Sequence, residues 1–152
     1  MKKATAILPA LLLTGGLACK KEPPPPPPTT VPAPAITLPA PASVTSLALG
    51  NAIGADKRVT ASTEAFGAKD TIYASVETAG TGHAKLRALW SFVKGDKTAK
   101  VDETTIEFES AAPVVNEFHI TKPSGWPKGD YKVEIFLGDD TTPVVTKTFK
   151  VG

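Results

Sequence analysis

From residue 43 onward apolar side chains recur at every second position, and no window of a dozen residues keeps the spacing of an amphipathic helix. Alternation of this kind turns one side of an extended chain toward a core and the other toward water, so the segments it marks are predicted strands. They fall at residues 44–49, 71–78, 85–94, 104–109, 114–121, 131–138 and 144–151, with an edge piece over 59–65. Turn residues separate them: Gly80-Thr81-Gly82, Lys94-Gly95-Asp96, Ala112-Pro113, Pro123-Ser124-Gly125 and Gly138-Asp139-Asp140. About seven short strands in about 110 residues predict an all-β domain of two packed sheets.

The same alternation assigns the faces. Ile72, Ala74 and Val76 share one side of their strand, as do Leu86, Ala88, Trp90 and Phe92. Ile106 with Phe108, Phe118 with Ile120, Tyr131 with Val133, Ile135 and Leu137, and Phe149 with Val151 complete the predicted core. Arg87, Ser91, Glu107, Lys132, Glu134, Thr148 and Lys150 lie between them, as expected for sheets wetted on one face.

Trp90 lies in the middle of the third major strand, and Gly129-Asp130-Tyr131-Lys132-Val133 opens the penultimate one. In these features the chain resembles the immunoglobulin-like Greek-key sandwich, with its core tryptophan and tyrosine corner. Val133 stands where antibody domains carry a cysteine, so the resemblance implies a version without a disulfide. The stretch from Phe118-His119-Ile120-Thr121 through Gly125-Trp126-Pro127 to Val133-Glu134, together with Thr71-Ile72-Tyr73-Ala74-Ser75-Val76, is also similar to domains of uncharacterised bacterial lipoproteins. That likeness covers most of residues 47–152 and implies a fold and an address, but no activity.

The first 42 residues follow other rules. Met1-Lys2-Lys3 precedes an apolar run over residues 4–17 centred on Leu11-Leu12-Leu13, which is the pattern of a secretory signal and is too short to span a bilayer. The run closes on Gly16-Leu17-Ala18-Cys19 and resembles the bacterial lipoprotein signal, which implies removal of residues 1–18 and diacylation of Cys19. Gly16 stands where such signals usually carry Leu, and Gly16-Leu17-Ala18 is also a small-x-small site, so cleavage to a secreted soluble protein with a free thiol is the alternative. By the sorting pattern of such lipoproteins, Lys20 after the cysteine implies the outer membrane, with the domain in the periplasm. Of the 15 prolines, eleven lie before residue 42, and six fill positions 23–28. Consecutive prolines fix φ and supply no amide donor, so residues 19–42 read as an extended linker reaching on the order of 60 Å.

Charge and composition narrow the function. The chain carries 17 Lys+Arg and 15 Asp+Glu, and loss of Lys2 and Lys3 with the signal leaves 15 of each. A net charge near zero gives no long-range field for nucleic acid. One cysteine and two histidines predict no internal disulfide and no metal cluster, and no cofactor motif is present.

His119, alternating with Phe118 and Ile120, is expected to be exposed, and His83 to sit in a loop; neither accompanies a nucleophile motif. Gly80-Thr81-Gly82-His83 reads as a hairpin turn and not a phosphate cradle. Asp102, Glu103, Glu107 and Glu109 read as a solvated strand face, and Asp139-Asp140 as a turn. Two apolar residues break the alternation: Leu89 and Phe136 fall on the outward side of strands expected to be neighbours, where together they would form a partner-binding patch. Trp126, between Gly125 and Pro127, is expected to cap the core or to stand out as a contact residue. The expected function is therefore a non-catalytic, membrane-anchored module binding an envelope protein or polymer. A small periplasmic hydrolase or enzyme inhibitor, and a structural spacer without a ligand, are the alternatives.

Overall fold

The computed structural model describes residues 40–111 and 113–152. The signal segment 1–18, Cys19 and the linker up to residue 39 lie outside the described residues. Eight strands follow in chain order: β1 (Ser43–Gly50), β2 (Ala65–Phe66), β3 (Ile72–Ala79), β4 (Gly82–Lys94), β5 (Lys97–Ser110), β6 (Val114–Ile120), β7 (Gly129–Leu137) and β8 (Val145–Val151). No helix occurs among the described residues. The strands form a three-stranded sheet, β1-β3-β6, and a five-stranded sheet, β2-β8-β7-β4-β5. All pairings are antiparallel except the short one of β2 with β8.

The inward residues of both sheets join in one apolar cluster. Leu49, Ile72, Ala74, Val76, Phe118 and Ile120 come from the smaller sheet; Leu86, Ala88, Trp90, Val133, Ile135 and Phe149 are among those from the larger. Every residue assigned to the core by alternation belongs to this cluster, with Phe92, Ile106, Phe108 and Leu137 only partly covered at its margins. Burying each large side chain contributes about 1.5–3 kcal/mol, which makes this cluster the main source of stability. Its aromatic part is continuous: the Phe149 ring stacks on Tyr131 at 5.3 Å and meets Trp90 edge-on at 6.0 Å and Phe66 at 5.4 Å.

Two expectations about connections are corrected. Gly80-Thr81-Gly82 does not close a hairpin, because β3 pairs with β1 and β6 while β4 pairs with β5 and β7. It carries the chain from one sheet to the other, and His83 lies within β4. Of the edge segment expected at 59–65, only its end forms a strand, β2. The preceding loop instead lies against β1 and β3: Ser75 Oγ donates to Lys57 O at 2.8 Å, and Arg58 grips both oxygens of Glu77 at 2.9 and 2.8 Å. That guanidinium holds the Glu77 carboxyl below the usual carboxylate range.

The crossover also receives the start of the domain. Thr81 N–H donates to Ala40 O at 3.0 Å, and Ser110 Oγ donates to Gly80 O at 2.9 Å. Gly80 has φ 101°, and a Cβ there would stand 2.3 Å from Pro41 O. Gly80→Ala is therefore expected to lower stability by about 1 kcal/mol or more. It should also raise amide exchange at Thr81, whose bond to Ala40 it displaces; unchanged exchange there would count against the clamp.

Candidate binding surface

The penultimate strand β7 organises the surface residues of interest. At its start Gly129 packs its open side on Phe92, where a Cβ would lie 2.7 Å from the ring. Two residues on, the buried Tyr131 hydroxyl turns back and donates to Pro127 O at 2.8 Å. Burial raises the Tyr131 pKa above its ordinary value. A raised pKa means a contribution to stability that is complete below about pH 10 and lost as pH rises through the folded-state value. Tyr131→Phe is expected to cost about 1 kcal/mol at neutral pH. It should also flatten the alkaline fall in melting temperature between wild type and variant; parallel curves would refute the assignment.

The bond at Tyr131 fixes the loop that carries Trp126. Trp126 is buried in the core cluster, its Nε1–H donates to Asp70 O at 2.9 Å, and its ring meets Tyr131 edge-on at 6.1 Å. Of the two roles expected for this indole, the coordinates give it the position of a cap at the end of the core. Two adjoining clefts of about 390 and 260 Å³ open beside it, sharing Val101, Lys122 and Trp126. They lie between β5, through Lys100, Val101 and Asp102, and the β6–β7 loop. Lys122 makes no ion pair among the described residues, whereas Lys100 is held by Glu103 at 2.6 Å.

The outward patch expected from Leu89 and Phe136 requires a correction. The two strands are neighbours, with Leu89 opposite Glu134 and Phe136 opposite Arg87. Phe136, however, is only 5 % exposed, because the Arg87 guanidinium lies over its ring at 3.9 Å from the centroid. Arg87 is itself fastened, donating to Asp140 O at 3.1 Å and approaching Glu103 at 3.6 Å. Leu89 is half-buried. A cation on an aromatic face contributes about 0.5–1 kcal/mol at such a site, so a polar cover replaces the open apolar patch. Alternation could not show this, since the cover comes from the long side chain of a cross-strand partner.

The remaining candidates stay apart from one another. His83 is exposed on β4 and bonds Glu109 at 3.0 Å, with Glu107 at 3.9 Å; His119 is exposed on β6 and bonds Glu117 at 2.6 Å. Of the acidic residues on β5, Glu103 has its carboxyl held below the usual range, chiefly by its hydrogen bond from Lys100. Asp139 does not merely close a turn: it pairs with Lys85, which lowers its carboxyl pKa. A further cleft, of about 420 Å³, lies where the chain enters the domain, between Pro41, His83, Lys85, Glu107 and Asp139. Among the described residues no group of three or more His, Cys, Asp or Glu side chains is arranged to hold a metal ion.

Fold and surface together define an all-β domain of two sheets around one core. No family model matches the chain, and no curated protein matches it. Among solved structures it is similar to a β-glucosidase from Erythrobacter marinus, with a TM-score of 0.51 and 9% identity over 75% of this chain and 16% of that one. A β-glucosidase from Listeria innocua in complex with gluconolactone gives a TM-score of 0.44 and 9% identity over 73% of this chain. The domain thus spans 16% of each of those enzymes, and the likeness to the first is one of fold alone.

Proposed function

We propose that the protein is a lipid-anchored envelope protein. In this reading it presents a non-catalytic, immunoglobulin-like sandwich that binds another protein or an envelope polymer. The observation that carries it is the order of segments along the chain: a basic start, a short apolar run, Cys19 behind small residues, a run of prolines, then an all-β domain beginning at β1. Such an order suits a module held off a membrane by a stiff spacer. The outer membrane and the periplasmic side are inferred from Lys20.

Three features support the immunoglobulin-like reading. The β1-β3-β6 sheet joins the first, third and sixth strands, and β8-β7-β4-β5 joins the remainder with β2 at its edge. Trp90 is fully buried between the sheets. The Tyr131 hydroxyl bonds the backbone four residues upstream, as a tyrosine corner does. The clefts flanking Trp126 are the surface offered to a partner.

The test has two parts. The mass of the N-terminal peptide of the mature protein is expected to be that of residue 19 onward with acyl chains on Cys19; an unmodified thiol would refute the anchor. Photocrosslinking in the intact envelope from Val101, at the mouth of the clefts, is expected to capture one dominant neighbour. Capture no different from that at Thr146, on the outer face, would favour a spacer.

A further inference from the structure

Among the described residues strand β5 pairs with β4 alone, from Lys97 to Ser110, so that the other edge of this 14-residue strand has no partner there. Its first nine residues are all exposed. A row of free N–H and C=O groups of this length is a template for another strand. Natural edges of this kind are commonly blunted by charges and bulges, and β5 has both: its register with β4 shifts between Trp90 and Ser91, which leaves Val101 as the extra residue.

The charges are distributed in a way that simple blunting does not require. Lys97 and Lys100 occupy the first part of the strand, and its four carboxylates all follow them, Asp102 and Glu103 in the middle and Glu107 and Glu109 in the last part. An antiparallel strand of the same sequence reverses that order, so the basic part of each copy faces the acidic part of the other. We infer that the partner of the β5 edge is a second copy of this chain, joined about a two-fold axis at Thr104.

With the axis at Thr104, that residue faces its own counterpart, Glu103 faces Thr105, and Asp102 faces Ile106. Val101 consumes one position, so Lys100 comes opposite Glu107. Both then lie on the same face: Lys100 is opposite Ser91, which is on the outer side of β4 but is buried there and not wetted as its alternation implied, and Glu107 is opposite Lys85. Opposite charges and threonine pairs directly across a ladder are the favourable combinations; no like charges stand directly opposite in this register, and the diagonal approach of Glu103 to Glu103 and Glu107 of the other copy is what keeps the pairing weak. The two five-stranded sheets become one sheet of ten, and the half-buried Ile106 and Phe108 gain cover. The contact is isologous, so it closes at two copies. The amino-terminal segment is a poorer occupant, since residues 1–42 contain a single carboxylate, Glu22.

Strand pairing of this extent is smaller than a standard interface, so a weak dimer is expected. Sedimentation of the full chain carrying Cys19→Ala, up to millimolar concentration, should show a monomer–dimer equilibrium. Lys100→Glu should weaken it on the order of tenfold, because two attractive pairs become repulsive. Glu107→Lys should do the same, and the double variant should recover the wild-type constant. All these side chains are exposed, and far-UV circular dichroism verifies that the variants fold. In the same background Thr104→Cys should oxidise to a covalent dimer, since axial Cα atoms in an antiparallel pair are within about 5.5 Å, and Thr98→Cys should not. A monomer at every concentration, no recovery in the double variant, or equal crosslinking at Thr98 and Thr104 would overturn the proposal. So would envelope crosslinks from Thr104 solely to a different protein, an outcome that would leave the anchored binding module standing.

Discussion

Cys19→Ala is expected to move the protein from the detergent phase to the aqueous phase in a phase-partition experiment, essentially completely. The size of the effect follows from hydrocarbon transfer. Each buried CH₂ contributes about 0.8 kcal/mol, so two acyl chains hold a protein on a membrane where one gives only marginal, reversible binding. The apolar run at residues 4–17 is too short to span and is expected to leave with the signal, and no helix among the described residues is long and apolar enough to cross a membrane. The chain carries 17 Lys+Arg against 15 Asp+Glu, and would carry 15 of each without Lys2 and Lys3, so electrostatic attraction to anionic lipid is not expected to substitute. The expected result is all or none, read by immunoblotting both phases. Wild-type protein found in the aqueous phase would end the anchored reading, and the folded domain would then be understood as a secreted one.

The second large effect is on the fold. Trp90 is fully buried, touches the Phe149 ring edge-on at 6.0 Å, and faces Val133 across the ladder. Trp90→Ala removes the largest fully buried side chain and leaves a cavity that packed sheets cannot close, a loss of about 3–5 kcal/mol. Domains of this size have about 5–15 kcal/mol in total. A fall in melting temperature of at least about 12 °C is therefore expected, since 1 kcal/mol corresponds to roughly 4–8 °C in a domain of about 100 residues. The Trp90 Nε1 has no hydrogen-bond partner among the described residues, so the loss is one of packing. Trp90→Phe, which keeps an aromatic edge for Phe149, should fall well short of it. Thermal unfolding followed by circular dichroism measures both, and equal losses for Ala and Phe would show that packing against Phe149 is not what Trp90 supplies.

The parts of this domain that could be read in advance are those whose neighbours are close in sequence or on the same strand. β4 and β7 show the rule at its best: Leu86, Ala88 and Trp90, and Tyr131, Val133 and Ile135, face the core in the order their alternation implies. β5 shows its limit. Residues 97–103 are mostly polar, with only Ala99 and Val101 apolar, yet they continue the strand because the hairpin at Gly95-Asp96 keeps them in register with β4. Their exposed edge needs no apolar face, so the signal for a strand is weak there. For the surface, Leu89 and Phe136 could be identified as outward residues on neighbouring strands, but the Arg87 that covers Phe136 could not.

What the sequence by itself determined is that the chain from residue 43 onward is all-β, with the inward face of nearly every strand. Those properties follow from local composition and a two-residue period, which act along the chain. Tertiary structure alone decided that β3 and β4, three residues apart, belong to different sheets, that Trp126 is tied to Asp70, and that β5 pairs on one side only among the described residues. Each of these depends on which distant segment supplies the hydrogen bonds, and backbone groups are the same in every strand, so only the packing of the whole chain distinguishes the partners.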